Sequence, residues 1–528
     1  MMEFQNYING KWVKGQNTFQ TINPATEEIV AEIAQAEISD VDAAVSAAKE
    51  SFKSWRLVPA PLRGEMLFKV GDLLKQKKEE LAQLLTRDMG KVIAEARGDV
   101  QEAIDMAYFM GGEGRRLLGY TAPVEMPNKF GMAVRDPSGV VGLITPWNFP
   151  IAVPSWKIFP ALVAGNTIIW KPSPDTPAIS AAFVKVFEEA GLPPGVFNLL
   201  MAPGADVAKA LVNHPDVRVL SFTGSTTTGR SIAEAAARLN KKVSLEMGGK
   251  NAIIVLDDAN LELVTDATLW AAFGTTGQRC TAASRLIVQK GMAGKLKEAL
   301  TESAKKLRLG NGLDPQVDVG PVINKAALER IHNYVQLGQK EGARVLVGGS
   351  IASVHPLASV DPIRSAVPDP LAPSASTSVE KSVHPLSSIE SKGFFYTPTL
   401  FDGVRPGSML EAEEIFGPVL SIIEVESLEE AIEVNNRSKY GLSTSIFTQD
   451  VNQAFTAMRD IFTGLVYINH GTTGAEIQFP FGGVRGTGNG HREAGQAALE
   501  VFTEWKSIYV DYSGRLQRAQ IDNREEEV

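Results

Sequence analysis

Hydrophobic residues recur in two different rhythms along the chain, and the change of rhythm predicts where helices and strands lie. Over residues 41–55 apolar side chains return every three or four positions, and amphipathic segments continue over residues 63–115, which predicts helices. Ahead of them, residues 7–19 predict two short strands joined by a turn at Asn9 and Gly10, a strong hairpin signal. This first part of the chain is expected to supply packing rather than chemistry.

A second region contains short, wholly apolar runs separated by segments of helical periodicity. These runs predict buried strands at residues 140–144, 167–170, 196–200 and 217–222. Strands that alternate with helices form right-handed crossover units and a parallel sheet. The pattern therefore predicts an α/β fold with a nucleotide-binding architecture.

Composition narrows the class of protein. A chain of 528 residues exceeds what one hydrophobic core usually supports, so we expect two or more domains. A formal net charge of -9 argues against nucleic acid as a partner. The apolar residues 151–169 are interrupted by prolines, Lys157 and Asn166, so no membrane span is expected. The start of the chain lacks a basic region and an apolar signal core, which favours a cytoplasmic protein.

Cys280 is the single cysteine of the chain. One thiol cannot form an internal disulfide, and it cannot by itself bind zinc, so it is either a small buried residue or a nucleophile. Gly274 and Gly277 allow close backbone approach, and Arg279 places a cation beside the sulfur. We therefore expect an environment that favours the thiolate and makes Cys280 reactive.

Two further polar residues, Asn148 and Glu246, lie at positions where they could take part in catalysis. Asn148 follows a buried strand in a proline-rich loop, where it either forms a turn or points its amide into a site. Glu246 lies between Leu245 and Met247; it is either a surface partner of Lys250 or a partly buried carboxyl with a pKa raised toward that of a general base.

The glycine-rich stretch 224–229 matches neither a P-loop nor the usual dinucleotide fingerprint. Such a turn is more often a helix cap, although Lys171 and Ser225 would suit ribose and pyrophosphate. His355 and His384 are too isolated to suggest a metal site. We expect no bound metal.

Six motifs together resemble the signatures of the aldehyde dehydrogenase superfamily, in the family's order, and the resemblance extends over about residues 5–512. They are Thr145-Pro146-Trp147-Asn148-Phe149-Pro150, Phe222-Thr223-Gly224-Ser225, Leu245-Glu246-Met247-Gly248-Gly249-Lys250, Gly277-Gln278-Arg279-Cys280, Glu414-Ile415-Phe416-Gly417-Pro418 and Pro480-Phe481-Gly482-Gly483.

The resemblance implies an α/β fold with a Rossmann-type cofactor domain, an α/β catalytic domain and a β-strand arm that builds homodimers or homotetramers. It places the domains as follows: cofactor domain, 1–116 and 138–247; catalytic domain, 248–482; arm, 117–137 and 499–512; tail, 513–528.

The resemblance also implies that an aldehyde is oxidised to a carboxylic acid with NAD or NADP. Cys280 would attack the aldehyde, Asn148 and the Cys280 backbone N–H would hold the oxyanion, and Glu246 would activate water. Arg279, Phe149 and Phe481 are the candidates for substrate contact. The candidates for cofactor contact are Ile144, Thr145, Pro146, Trp147, Lys171, Ser173, Gly204, Gly224, Ser225, Glu414 and Phe416.

Two departures from the family pattern stand out. Many NAD-preferring members carry Glu three residues after the cofactor lysine, whereas this chain has Pro174, so we expect NADP to be accepted unless Asp175 substitutes for that carboxylate. The second departure is the Pro- and Ser-rich segment 351–392, which we interpret as a disordered surface insertion, with a regulatory or partner-binding role as the alternative.

The residues around Cys280 and the stretch 472–476 are similar to those of 2-oxoglutarate semialdehyde dehydrogenases. Arg279 would then grip the distal carboxylate of the substrate, or it pairs with a structural acid and never meets substrate. The alternatives are a broad-specificity or an aminoadipic semialdehyde dehydrogenase, and beyond these a cysteine hydrolase, a dehydrogenase that acylates coenzyme A, or a non-catalytic protein.

Overall fold

The computed structural model describes residues 2–354 and 392–521. The strands in these residues are β1 (Met2–Phe4), β2 (Asn6–Ile8), β3 (Lys11–Val13), β4 (Thr18–Ile22), β5 (Ile29–Ala34), β6 (Tyr120–Ala122), β7 (Lys129–Pro137), β8 (Val140–Ile144), β9 (Thr167–Lys171), β10 (Phe197–Leu199), β11 (Val217–Thr223), β12 (Lys242–Glu246), β13 (Asn251–Val255), β14 (Ala283–Gln289), β15 (Arg344–Val347), β16 (Thr399–Asp402), β17 (Val419–Val425), β18 (Tyr440–Gly441), β19 (Ser443–Phe447), β20 (Leu465–Ile468), β21 (Val484–Arg485) and β22 (Thr503–Asp511).

Helices connect most of these strands, and a 3-10 turn at Gly274–Gly277 precedes Cys280. The helices are α1 (Ile38–Trp55), α2 (Ala60–Gln76), α3 (Lys78–Met89), α4 (Ile93–Glu113), α5 (Ala152–Ala164), α6 (Pro177–Ala190), α7 (Asp206–Asn213), α8 (Thr226–Arg238), α9 (Leu261–Phe273), α10 (Lys290–Ala304), α11 (Lys325–Lys340), α12 (Met409–Ala412), α13 (Leu428–Asn436), α14 (Val451–Asp460) and α15 (Ala498–Phe502).

The first large sheet has the strand order β12-β11-β8-β9-β10-β2-β3. Its first five strands are parallel, and the β2–β3 hairpin adds an antiparallel edge. The predicted hairpin turn is confirmed, because Asn9 and Gly10 both take positive φ. The predicted strands lie within two residues of β8–β11, since strands covered on both faces appear in sequence as continuous apolar runs.

The second large sheet has the order β15-β16-β17-β14-β13-β19-β20 and is parallel except for β15. The first sheet lies within the segments predicted to bind cofactor and the second within the predicted catalytic segment. The predicted domain boundaries stay a prediction. Cys280 precedes β14 and Glu246 ends β12, so the loops between the two sheets carry the candidate chemistry.

A third, three-stranded sheet, β22-β7-β6, forms from the two segments predicted to make the arm. β22 pairs antiparallel with β7 over nine residues of each strand, Thr503 to Asp511 with Pro137 to Lys129. Most of β22 is exposed within one chain. We call this sheet the arm.

Most of the predicted insertion, residues 355–391, lies outside the described residues, as does the end of the tail. The chain before and after it is joined directly: Ile351 and Tyr396 form an antiparallel bridge, and Ala352 N–H donates to the Phe395 carbonyl at 2.9 Å. Across residues 2–354 and 392–521 no helix is long and apolar enough to cross a membrane.

Candidate active site

Cys280 follows a turn with an unusual backbone. Thr275 and Thr276 take φ of 49° and 56°, and Gly277 takes φ of 69°. The left-handed region costs a non-glycine residue about 1–2 kcal/mol, and the branched Cβ of threonine makes it still less favourable. Gly277 is required because a Cβ there would lie 2.2 Å from the Gly417 carbonyl oxygen. We call residues 275–277 the left-handed turn.

A cavity of about 350 Å³ lies over Cys280. The residues predicted from the sequence that line it are Glu246, Arg279, Cys280, Phe149 and Phe481. The fold therefore brings together the proposed nucleophile, the proposed base and all three proposed substrate contacts. Among the described residues that line this cavity none is histidine.

The expectation that the surroundings of Cys280 favour the thiolate is wrong for the cofactor-free protein. Burial first, and then repulsion from the carboxylates of Glu246, Glu414 and Glu493, raises the pKa of the Cys280 thiol to about 12, although a hydrogen bond from the Thr281 backbone lowers it. Arg279 is the cation next to Cys280 in sequence, but its charge is paired with Glu95. The resting sulfur is therefore a thiol.

Asn148 is buried at the carboxyl end of β8, and its side chain reaches the nucleophile loop. Its Nδ2 donates to the Gln278 carbonyl at 3.0 Å, which leaves one N–H of the amide free to donate. The Cys280 backbone N–H has no hydrogen-bond acceptor in the part of the chain that the structure describes. Two donors are thus available beside the sulfur.

Glu246 is buried, so its interpretation as a surface partner of Lys250 is wrong. Burial, with repulsion from Glu493, raises the pKa of the Glu246 carboxyl well above its ordinary value. Gly482 permits this placement because a Cβ there would lie 2.4 Å from Glu246 Oε1. Gly483 N–H donates to Oε2 at 3.3 Å, and the buried Oε1 has no hydrogen-bond partner among the described residues.

The structure shows a buried ion pair beside Glu246 that the sequence does not predict. Lys157 in α5 contacts Glu493 and donates to Ser221 Oγ at 2.9 Å, and Thr223 donates to Glu493 Oε1 at 3.2 Å. The sequence does place Lys157 in a helix whose other residues are almost all apolar, and a charge in such a helix needs a buried partner. Its partner lies 336 residues away, which no local pattern reveals.

The predicted cofactor residues converge on one edge of the first sheet. Ile144, Lys171, Gly204 and Ser225 lie at or just after the carboxyl ends of β8, β9, β10 and β11 in turn. Carboxyl ends of parallel strands meet at the same edge, where open α/β sheets bind ligands. Ser225 caps α8 by accepting from Thr228 N–H at 3.3 Å, so both interpretations of this glycine-rich turn remain compatible with its structure.

Lys171 supports a ligand at this edge. Burial lowers the pKa of its ammonium to about 8, and its Nζ has no hydrogen-bond partner in residues 2–354 and 392–521. A buried cation without a protein partner is costly unless a ligand satisfies it. Its donor hydrogens fit the hydroxyl or phosphate oxygens of a nucleotide. Of the other predicted residues here, Ser173 and Thr145 are buried, while Pro146 and Gly224 are half-buried.

Trp147, Glu414 and Phe416 are three further residues predicted to contact the cofactor. Trp147 and Phe416 meet edge to face with ring centroids 5.6 Å apart. Glu414 Oε1 accepts from Gly249 N–H at 2.9 Å, and Gly248 gives the carboxyl room to approach. Burial raises the pKa of Glu414 to about 7. These groups form a half-buried wall with acceptor oxygens suited to ribose hydroxyls.

Asp175 is already engaged within the protein. Its Oδ1 accepts from Asn324 Nδ2 at 3.0 Å and its Oδ2 from Ser173 Oγ at 3.1 Å. The carboxylate is therefore held in place and partly satisfied, which reduces its capacity to bind ribose hydroxyls in place of the missing glutamate at Pro174.

Arg279 pairs with a structural acid, as one of the two interpretations expects, and its contact with substrate stays a prediction. Its Nη2 pairs with Glu95 Oε1 at 2.8 Å and its Nε donates to Thr275 Oγ1 at 2.9 Å. Its side chain also lines the cavity, and its guanidinium stacks over Trp270 at 4.7 Å. Within the described residues Nη1 has no acceptor, so part of the fork is open to a substrate.

Residues 2–354 and 392–521 contain no group of three or more His, Cys, Asp or Glu side chains suited to hold a metal ion. His355 and His384 lie outside these residues. The polar side chains that line the cavity are thiol, carboxyl, hydroxyl, indole and guanidinium groups.

The chain is similar to known proteins over almost its whole length. The model of the aldehyde dehydrogenase family matches residues 12–363 and 358–508. The alpha-ketoglutaric semialdehyde dehydrogenase of Bacillus subtilis is 39% identical over 510 residues, which cover 96% of this chain and 98% of that protein. The aldehyde dehydrogenase family 7 member A1 of Pisum sativum is 35% identical, with 98% and 95% covered.

Solved structures show the same architecture. The NAD+ complex of an aldehyde dehydrogenase from Bacillus cereus superposes with a TM-score of 0.87 at 34% identity, and 97% of each chain is covered. Betaine aldehyde dehydrogenase from Staphylococcus aureus gives a TM-score of 0.88 at 32% identity, with 97% and 96% covered. These matches confirm the predicted fold class.

Proposed function

Because the chain belongs to the aldehyde dehydrogenase family, we propose that it oxidises an aldehyde to a carboxylic acid at Cys280, with NAD or NADP as hydride acceptor. The family and enzyme class predicted from the sequence are confirmed by the matches, and the cofactor class agrees with the NAD+ complex among the solved relatives. The observation that carries the proposal for this site is that Cys280 and Glu246 line one cavity, while the Asn148 amide contacts the loop that carries Cys280, at the Gln278 carbonyl.

The first chemical step joins the Cys280 sulfur to the aldehyde carbon. The thiol proton passes to the Glu246 carboxylate, whose raised pKa makes it a competent acceptor. The negative charge that develops on the aldehyde oxygen is held by the second Nδ2 hydrogen of Asn148 and by the Cys280 backbone N–H. Because these donors are fixed before reaction, they need no rearrangement in the transition state.

When bound, the oxidised nicotinamide supplies a positive charge that favours the thiolate and accepts the hydride from the carbon, which leaves a thioester on Cys280. Glu246 then releases its first proton to solvent and takes one from water, which it returns to the Cys280 sulfur when the thioester is cleaved. The water oxygen bonds to the thioester carbon, the carbon–sulfur bond breaks, and the carboxylic acid leaves.

We propose a carboxylate-bearing semialdehyde, such as 2-oxoglutarate semialdehyde, as the substrate. The open Nη1 of Arg279 offers a carboxylate two donor hydrogens in a largely dry site, where charge-assisted bonds are strongest. Curated relatives from Bacillus subtilis and Haloferax volcanii bear the name of this activity. Arg279→Ala should raise KM for the semialdehyde about tenfold or more and leave KM for propanal little changed. An equal effect on both aldehydes would refute the anchor.

A second candidate, aminoadipic semialdehyde, is favoured by Glu102. This carboxyl of α4 lines the same cavity and forms no hydrogen bond within the described residues, and burial together with Asp99 raises its pKa to about 8. A substrate ammonium would pair with its carboxylate, whereas its protonated form would donate to a 2-oxo group.

The two substrates can be separated by Glu102→Gln, which keeps a donor but removes the charge. If the enzyme is specific for the 2-oxo substrate, kcat/KM for it should survive the substitution. If the amino substrate is the true one, its kcat/KM should fall about tenfold or more. The assay follows NADH and NADPH formation across a panel of semialdehydes and aliphatic aldehydes, with Cys280→Ser as the blank. Activity that persists in Cys280→Ser would overturn the proposed mechanism.

We propose that NADP is accepted alongside NAD. Pro174 supplies no carboxylate to repel a 2′-phosphate, and the nearby Asp175 is committed to Ser173 and Asn324. The comparison of kcat/KM with the two cofactors tests this proposal. A preference for NAD of about a hundredfold, equivalent to about 2.7 kcal/mol, would contradict it.

The rival functions fit the site less well. A cysteine hydrolase needs a histidine near the sulfur, and the described lining of the cavity has none. Transfer of the acyl group to coenzyme A would not require the buried base Glu246. We further propose a homodimer or homotetramer built through the arm, in the cytoplasm, where a lone free thiol stays reduced.

A further inference from the structure

We infer that Glu95 is a positioning residue for the nucleophile; the inference rests on the proposed role of Cys280. Glu95 lies in the first turn of α4, and its side chain is almost completely buried. Thr275 N–H donates to its two oxygens at 2.8 and 3.0 Å, the Thr275 hydroxyl donates at 3.0 Å, and Arg279 Nη2 donates at 2.8 Å.

The Glu95 carboxylate contacts the chain at the start of the left-handed turn and just after it, at Thr275 and at Arg279. Thr275 begins this turn and Arg279 directly precedes Cys280, so one rigid group on α4 fixes both flanks of the segment that delivers the sulfur. Gly274 allows this approach, because a Cβ there would meet Glu95 Oε1 at 3.1 Å. A displacement of the turn would move Cys280 directly.

The turn needs such an external contact because its conformation is intrinsically unfavourable. Two consecutive β-branched residues in the left-handed region are a strained arrangement that persists only where the surroundings hold it. Thr276 donates to the Gly320 carbonyl at 2.9 Å, and Gln278 Oε1 accepts from Ile323 N–H at 2.9 Å. Glu95 adds the charged contact at the start of the turn.

The same contact reaches the oxyanion donors. Asn148 is held by the Gln278 carbonyl, and Gln278 N–H in turn donates to the Thr275 carbonyl at 3.0 Å. Loss of the Glu95 contact would therefore disturb the sulfur and the amide together. This predicts a loss in kcat, because both groups act in the transition state, with little change in cofactor affinity.

The single cysteine makes the position of the nucleophile directly measurable. Iodoacetamide can label only Cys280, so the labelling rate of the cofactor-free enzyme reports on the sulfur without depending on turnover. Glu95→Ala should slow labelling and lower kcat for propanal and semialdehydes alike by about tenfold to a hundredfold, the cost of a misplaced group. Glu95→Gln retains an acceptor for Thr275 N–H and should recover most of both losses.

Strain relief supplies a second test. Thr275→Gly, which adopts positive φ freely, should restore part of the labelling rate and kcat when combined with Glu95→Ala. If Glu95→Ala does not fold, Glu95→Asp, whose carboxylate is one methylene shorter and withdrawn from Thr275 N–H, takes its place and should lower the labelling rate and kcat for propanal, whereas wild-type values in a folded Glu95→Asp would contradict the inference. Asp105→Ala, on the exposed face of the same helix, is the matched control.

Three results would overturn the inference: a folded Glu95→Ala with the labelling rate and kcat of wild type, a fall in kcat with unchanged labelling, or a failure of Glu95→Gln to recover either quantity. Failure of the proposed function gives a different result, because Cys280→Ser would then keep its activity while the labelling measurements on Glu95 variants would still be interpretable.

Discussion

At the scale of single residues, the same dry cavity raises the pKa of both the Cys280 thiol and the Glu246 carboxyl, because burial disfavours their charged forms. Such a pair avoids two adjacent anions before substrate arrives. The proton that leaves the sulfur then finds an acceptor whose pKa lies closer to that of a thiol than an exposed carboxyl would have. Burial therefore sets the pKa values of Cys280 and Glu246, whereas the sequence suggests that the neighbouring Arg279 would set that of Cys280.

The raised pKa of Glu246 predicts the pH dependence of turnover. Only the carboxylate can take a proton from water, so hydrolysis of the thioester should increase as pH rises through a pKa well above that of an ordinary glutamate. Glu246→Gln should remove this rise and lower kcat about a hundredfold or more. The measurement is kcat as a function of pH for both enzymes, together with the initial burst of NADH that shows acyl-enzyme accumulation.

Glu298→Gln, an exposed carboxyl of α10, is the control for general loss of charge. It should retain the wild-type pH profile. A Glu246→Gln enzyme with an unchanged profile would show that another group deprotonates the water.

At the scale of secondary structure elements, the arm is incomplete within one chain. β22 is exposed along most of its length, and neighbours on opposite faces such as Tyr509 and Val510 are both exposed. The two outer strands of the arm, β6 and β22, gain little burial within one chain, and a small sheet of this kind is not expected to be stable without further packing. We therefore expect the arm to be covered by a second copy of the chain.

This expectation can be tested at Tyr509, whose side chain is 73% exposed. Tyr509→Glu should lower the molar mass measured by light scattering toward that of the monomer, because a charge buried in an interface is costly. Leu57→Glu changes an equally exposed apolar residue, also 73% exposed, far from the arm in sequence, and should leave the mass unchanged. A monomeric wild-type enzyme, or an unaltered mass in Tyr509→Glu, would contradict the expectation.

The sequence predicts secondary structure elements better than contacts between side chains that are distant along the chain. The strands β8–β11 and the Asn9-Gly10 turn follow local rules of burial and backbone conformation, so their positions are readable from neighbours in the chain. Glu95 meets Arg279 and Lys157 meets Glu493 across 184 and 336 residues, and one sequence carries no record of such pairing. The raised pKa of Cys280 is not predictable from the sequence for the same reason, because burial is a property of the assembled fold.

At the scale of the whole molecule, the fold closes across the two ends of the predicted insertion, and Ile351, the first residue of that segment, is already paired with Tyr396. Besides the Ile351–Tyr396 bridge, Thr397 N–H donates to the Ser350 carbonyl at 3.1 Å and Ser350 N–H donates to Thr397 Oγ1 at 3.1 Å. The chain ends that flank residues 355–391 are therefore held together by contacts of the described residues themselves. A short connection between them should be compatible with the same fold.

Replacement of residues 355–391 by a short Gly-Ser linker should consequently preserve kcat/KM and keep or slightly raise Tm. The reason is that loop closure costs only about 0.6 kcal/mol for each doubling of loop length, so a shorter loop is at most mildly favourable. A longer deletion that also removes Ile351 and Tyr396 is the matched control, because it breaks the bridge and should lower Tm. If instead the short replacement alters kcat/KM with Tm unchanged, the segment acts on the active site, and the alternative of a regulatory insertion replaces that of a passive one.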